Sequence, residues 1–206
     1  MKAAIDEKTA RGILGSNVVG PGELGMIGAM EFAVGNNVPE IPYSIGELDA
    51  KREDYLLILG VSKFADGSPV TIRALRDIFG RNPDEKEPCF YNQDWYEKES
   101  FIDVPMKDGW YLIRKNVYED SRGRQPSELS RRYEFPSAIR CVYSFYTAWL
   151  ALGQKLWLHD FVWCSEKDHN GDRIYVGKYH DVDGINKNGF SIHRHLALRP
   201  CYACVD

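Results

Sequence analysis

The sequence predicts an α+β fold in which one central helix packs on an antiparallel sheet, preceded by an irregular Gly-rich segment. Three observations lead there. Residues 136–152 repeat apolar side chains at helical spacing, with Pro136 suited to the first turn and Gly153 to the exit. Three strand-like runs follow, at 160–165, 173–179 and 190–198, and Asn170-Gly171 between the first two is a hairpin signal because both residues tolerate positive φ. Nowhere do strands and helices alternate in the series that builds a parallel sheet.

In chain order, residues 9–40 are interrupted by glycines at 12, 15, 20, 22, 25, 28 and 35, which weakens helix and strand alike. Residues 1–41 are therefore expected to be an arm or subdomain, and 42–206 a single α+β domain ending in a meander over 157–206. A polar helix is predicted from Ile45 to Glu53. The apolar run Tyr55-Leu56-Leu57-Ile58-Leu59 reads as a buried strand or as the end of that helix. Thr71 stands as the N-cap of a helix whose Ile72, Leu75, Ile78 and Phe79 share a face, with Gly80 closing it. After a charged loop and the aromatic stretch 90–96, Trp110-Tyr111-Leu112-Ile113-Arg114 reads as a strand. In the helix from Pro136, Ile139, Val142, Tyr143, Tyr146, Trp149 and Leu150 form one face, yet Phe145, Ala148 and Leu152 lie on the other. Most of its circumference is expected to be covered by protein.

With 206 residues, 44% of them hydrophobic and 27% charged, the chain can bury a core without disulfide support. Its opening residues lack the apolar run of a secretory signal, and no stretch approaches bilayer-spanning length, so no membrane partner is expected. The odd set Cys89, Cys141, Cys164, Cys201 and Cys204 fits reduced thiols and a cytoplasmic setting. Net charge is −4, and the densest basic cluster, Arg122, Arg124, Arg131 and Arg132, is too short for a phosphate-tracking stripe, so nucleic acid is not an expected partner.

Several motifs admit chemistry, and each competes with a plainer reading. Gly20-Pro21-Gly22-Glu23-Leu24-Gly25 has the spacing of a dinucleotide-binding turn but no following βαβ series. Cys201 and Cys204, with His193 and His195 on one strand face, are four soft or borderline zinc ligands, against which stands a pair of packed thiols in a terminal strand. Asp168, Asn170 and Asp172 alternate as calcium ligands do, yet the glycine is misplaced for an EF-hand and a hairpin turn explains them. Cys164 near His159, His180, Asp160 and Asp181 supplies the ingredients of a nucleophilic site, but it lies in an aromatic strand where a packed thiol is commoner. No metal and no cofactor is assigned.

From Trp110 onward the order of features resembles the C-type-lectin-like fold of bacterial ligand-binding domains and of the variable proteins of diversity-generating retroelements. The matching pieces are Trp110-Tyr111-Leu112-Ile113, the helix ending at Gly153, Trp163-Cys164-Ser165, Arg173-Ile174-Tyr175-Val176-Gly177 and Leu198-Arg199-Pro200-Cys201, about half of the chain. The resemblance implies a scaffold that displays a binding surface on its last strands and loops. The calcium-ligand pattern and the Gln-Pro-Asp or Glu-Pro-Asn signature of sugar-binding members are absent.

The expectation is a non-enzymatic module that binds a protein or small-molecule ligand through Trp163, Tyr175, His180, His193, His195 and Arg199. Aromatic faces and guanidinium forks are general recognition groups, and they crowd this meander. The rival expectation is a hydrolytic enzyme using a His/Cys/Asp cluster or a zinc ion in the same region.

Overall fold

The computed structural model describes residues 5–34, 38–179 and 188–206, and these form a mixed α+β protein with two sheets. Six α-helices are described: α1 (Glu7–Leu14), α2 (Pro21–Gly25), α3 (Ile45–Lys51), α4 (Ile72–Phe79), α5 (Pro126–Leu129) and α6 (Ala138–Leu152). The first sheet has the order β1-β2-β3, with β1 (Val18–Val19) parallel and β3 (Gly109–Arg114) antiparallel to the central β2 (Tyr55–Gly60). The second has the order β6-β5-β4-β7, where β4 (Phe161–Lys167), β5 (Arg173–Gly177) and β6 (Ser191–Arg194) form the expected antiparallel meander. It gains a fourth strand, β7 (Tyr202–Ala203), parallel to β4. The second sheet is therefore mixed.

Helix α6 lies between the sheets and touches strands of both, as well as α2 and α4. This explains its sequence: every residue from Ala138 to Ala148 except Arg140 is buried, because a helix with protein on all sides has no polar stripe to offer water. The helix starts two residues later than Pro136 suggests, since Ser137 is the N-cap and accepts from the Arg140 N–H at 3.3 Å. It ends where expected, with Gly153 in the left-handed region at φ 67°. Helix α4 also matches expectation: Thr71 Oγ1 accepts from the Ala74 N–H at 3.1 Å, and Gly80 closes it.

The Gly-rich stretch before residue 41 differs from its expected irregularity, carrying α1, β1 and α2. Its spaced apolar residues Ala10, Leu14, Val18, Val19, Leu24 and Met30 belong to the same core as α6 and β2. Caps and charges offset the glycines: Asp6 caps α1, and the Glu23 carboxylate accepts from the Gly20 N–H at 2.9 Å and from Arg11 at 2.6 Å. The run at Tyr55 resolves as strand, with all six residues of β2 buried. The expected helix ahead of it stops at Lys51, after a capping box between Ser44 and Glu47.

The runs at 173–179 and 190–198 are shorter as strands than they read, ending at Gly177 and Arg194. Between β4 and β5 the chain makes a five-residue loop in place of a tight Asn-Gly hairpin. Gly171 takes φ 88°, whereas Asn170 is not among the residues with positive φ. The Asp168 side chain organises this loop, its Oδ1 accepting from the Asn170 N–H at 2.9 Å and the Asp172 N–H at 2.8 Å. No described helix is long and apolar enough to cross a membrane.

Candidate functional site

Strand alternation divides the second sheet into two faces. Val162, Cys164, Ile174, Val176, Ile192 and Ala203 point toward α6 and join the main core. The outer face carries Phe161, Trp163, Tyr175, His193 and Tyr202, whose rings form one continuous layer. Trp163 meets Tyr175 edge-on at 5.2 Å and Tyr202 at 5.8 Å, and Tyr175 stacks on His193 at 5.3 Å. Phe161 touches Tyr175, His193 and Tyr202 at 5.5–6.0 Å. Just beyond β6, His195 sits edge-on to Trp163 at 5.1 Å. The Tyr175 hydroxyl donates to the Tyr202 hydroxyl at 2.8 Å.

Part of this layer is covered. Leu129, Phe135 and Cys204 complete a second small core with Trp163, Tyr175 and Tyr202, and Tyr118, Tyr133, Leu198 and Cys201 pack around it. The segment carrying Tyr118 and Ser121 also seals the free edge of β7: Tyr118 N–H donates to the Cys204 carbonyl at 2.9 Å, and Ser121 Oγ accepts from the Cys204 N–H at 2.8 Å. On the opposite edge, Gln93 Oε1 accepts from the Ile192 N–H at 3.2 Å and Trp95 donates to the Ile192 carbonyl at 2.9 Å. The aromatic stretch 90–96 thus closes the exposed side of β6, which would otherwise present unpaired backbone groups.

Of the six residues expected to form the recognition surface, four make the ring contacts just described, and their exposure differs. Trp163 and Tyr175 are buried and belong to the second core; they are corrected from surface groups to the floor beneath the surface, because the segments at 118–135 and 198–204 cover them. His193 and His195 are half-buried at the uncovered rim. Arg199 is exposed, and its guanidinium makes no hydrogen bond or ion pair among the described residues. Burial first, and then the charge of Arg199, hold the His193 pKa below its ordinary value. Leu196, 76% exposed, stands between the histidines and Arg199. His180 lies outside the described residues.

The chemical motifs resolve as follows. Cys164 is fully buried with its Sγ 4.0 Å from Cys141 Sγ, and burial followed by that neighbouring thiol pushes its pKa well above the ordinary range. Such a thiol is not a ready nucleophile. Burial likewise raises Cys201, and it raises Cys204 to about 12. His193, His195, Cys201 and Cys204 do not bring their ligand atoms together: among the described residues, the one group of three or more such atoms within 4.8 Å of one another is Glu99, Asp168 and His169. In the Gly20-Pro21-Gly22 turn, a strand does precede a helix, but α2 spans only five residues, and the Glu23 carboxylate already accepts from the Gly20 N–H at its start.

The Glu99 group was not legible in the sequence. Asp168 alternates with Asn170 and Asp172 in the sequence, yet one oxygen of its carboxylate accepts from backbone N–H groups of the loop, and its neighbours in space are His169 and a residue far away in the chain. Glu99 Oε1 lies 2.5 Å from His169 Nδ1, and Glu99 Oε2 accepts from the His169 N–H at 3.1 Å. Arg194 reaches the other Asp168 oxygen at 3.4 Å while lying over the Trp95 ring. Burial raises the Asp168 pKa, but the Asp172 and Asn170 N–H groups and Arg194 outweigh it and hold the group below the ordinary carboxylate value.

Comparison with known proteins adds no relative: no family description, no curated protein and no solved structure matches this chain. The class its architecture defines is a two-sheet α+β protein around a central helix.

Proposed function

We propose that the chain is a non-enzymatic binding module whose working surface is the uncovered rim of the second sheet: His193, His195, Leu196 and Arg199. One observation carries this reading. Arg199 lies close enough to the Tyr175–His193 stack to act on the imidazole electrostatically, yet its guanidinium has no partner among the described residues. Beneath it the rings pack against one another, and the contacts of His193 with Tyr175 and of His195 with Trp163 orient both imidazoles before any ligand arrives, which lowers the ordering cost of binding. An unpaired guanidinium beside imidazoles and an exposed leucine suits a small molecule or peptide that carries a carboxylate or phosphate next to an apolar group. A display scaffold of C-type-lectin-like kind, as the resemblance implies, would use this same end of the chain.

Amide-resolved NMR titration with a panel of aromatic carboxylates and phosphate monoesters tests the proposal. Saturable shifts are expected at residues 193–199 for at least one member, and they should vanish in the double variant His195→Ala, Arg199→Ala. Shifts that persist in the variant, or none across the panel, would reject this surface. Turnover of a bound ester would favour the hydrolytic reading instead.

A further inference from the structure

We propose that Glu99, Asp168 and His169 form a binding site for one divalent transition-metal ion of the zinc type. The three donors come from two separate places in the chain. Glu99 immediately precedes the 3-10 turn Ser100–Asp103, and Asp168 and His169 open the β4–β5 loop. One carboxylate oxygen from each acid and a ring nitrogen of His169 lie within 4.8 Å of one another. Donor atoms around a tetrahedral zinc, bound at about 2.0–2.2 Å, are about 3.3 Å apart. The present 2.5 Å between His169 Nδ1 and Glu99 Oε1 must therefore open slightly. His169 can provide that movement because its side chain is 67% exposed.

Charge accounting points the same way. The Asp168 side chain has no exposed surface and that of Glu99 only 7%, so two carboxylates share a dry position. Among the described residues, Arg194 at 3.4 Å from Asp168 is the one cationic side chain paired with either of them besides His169. One guanidinium for two buried carboxylates leaves a net negative charge among the described residues, which a bound dication would balance. The hydrogen bonds also orient both carboxylates. Glu99 Oε2 is tied by the His169 N–H, and Asp168 Oδ1 by the N–H groups of Asn170 and Asp172. Each carboxylate is thereby oriented through one oxygen, as ligands are by the groups behind them in metal sites; the other Glu99 oxygen faces the imidazole and the other Asp168 oxygen faces Arg194.

The donor set selects the ion. Calcium takes six to eight oxygens, more than this site offers, whereas one imidazole nitrogen and two carboxylate oxygens suit zinc or a similar first-row dication. Three protein ligands leave a fourth position for water, or for a donor atom of a ligand.

Isothermal titration of the full chain with zinc chloride, paired with cobalt(II) absorption, decides the matter. One equivalent is expected to bind, with a cobalt spectrum free of the near-ultraviolet thiolate band that Cys201 or another thiol would produce. His169→Ala and Glu99→Gln should each weaken binding by at least about 10-fold, the loss caused by removing even an orienting partner. Because the His169 side chain is 67% exposed, its variant should still fold, which thermal melting without metal checks, so it remains decisive if Glu99→Gln does not fold. No saturable uptake, undiminished affinity in His169→Ala, or a thiolate spectrum would overturn the site. None of the three ligands belongs to the recognition surface of His193, His195, Leu196 and Arg199, so that surface stands or falls separately.

Discussion

On its helix-facing side the second sheet presents Val162, Cys164, Ile174, Val176 and Ile192, sealed against α6. On its outer side it presents Trp163, Tyr175, His193 and Tyr202, sealed only by α5, short turns and the last loop. Both faces are well packed, but by different means. Aliphatic side chains meeting a 15-residue helix gain their stability from area removed from water. The outer rings add edge-on and stacked contacts and a Tyr–Tyr hydrogen bond, and these fix orientation as well as burial. A thin cover over an oriented layer leaves the rim uncovered, and at that rim His193, His195 and Arg199 reach solvent.

The contrast can be broken most forcefully from the inner side. Phe190 packs on Phe145 at 4.5 Å and on Phe90 at 6.2 Å, and it is fully buried. Phe190→Ala should cost about 3–5 kcal/mol, the usual penalty for emptying a buried aromatic site. Urea unfolding reads this directly, and a loss below about 1 kcal/mol would mean that the inner face does not hold the sheet to the helix. A smaller effect belongs to the outer face: Tyr175→Phe removes the 2.8 Å bond to Tyr202 while keeping the ring. The expected cost is about 0.5–1.5 kcal/mol by the same measurement, with ring packing otherwise intact.

The most delicate comparison uses pH. Burial and Arg199 depress the His193 pKa in the folded chain, so the unfolded chain binds the proton more readily. The stability associated with neutral His193 is therefore full above its unfolded value near 6.5 and declines as the pH falls from there through the lower folded value. Stability profiles between roughly pH 5 and 8 should show that decline in the parent, and a shallower one in His193→Gln. Equal slopes would show that the imidazole is not under the burial described here.

Much of this fold is written in local patterns. Thr71 and Gly80 bracket α4, Gly153 terminates α6, and the alternation in 161–164 and 173–176 assigns each side chain to a sheet face. All of these depend on neighbours a few residues away, which is why sequence alone reveals them. The glycines of residues 9–40 misled for the same reason. Their backbone freedom is a local property, whereas α1, β1 and α2 are stabilised by a core supplied from β2 and α6.

By itself, then, the sequence determined the class, the central helix with its all-round apolar surface, the meander, and the cluster of rings and imidazoles near the C-terminal end. Only the tertiary structure decided which of those rings lie under cover. Trp163 and Tyr175 look identical in pattern to surface aromatics until Leu129 and Phe135, dozens of residues earlier, are laid over them. It alone also brought Glu99 to Asp168 and His169. Burial and long-range charge proximity are properties of chain segments meeting in space, and no periodicity within either segment encodes the meeting.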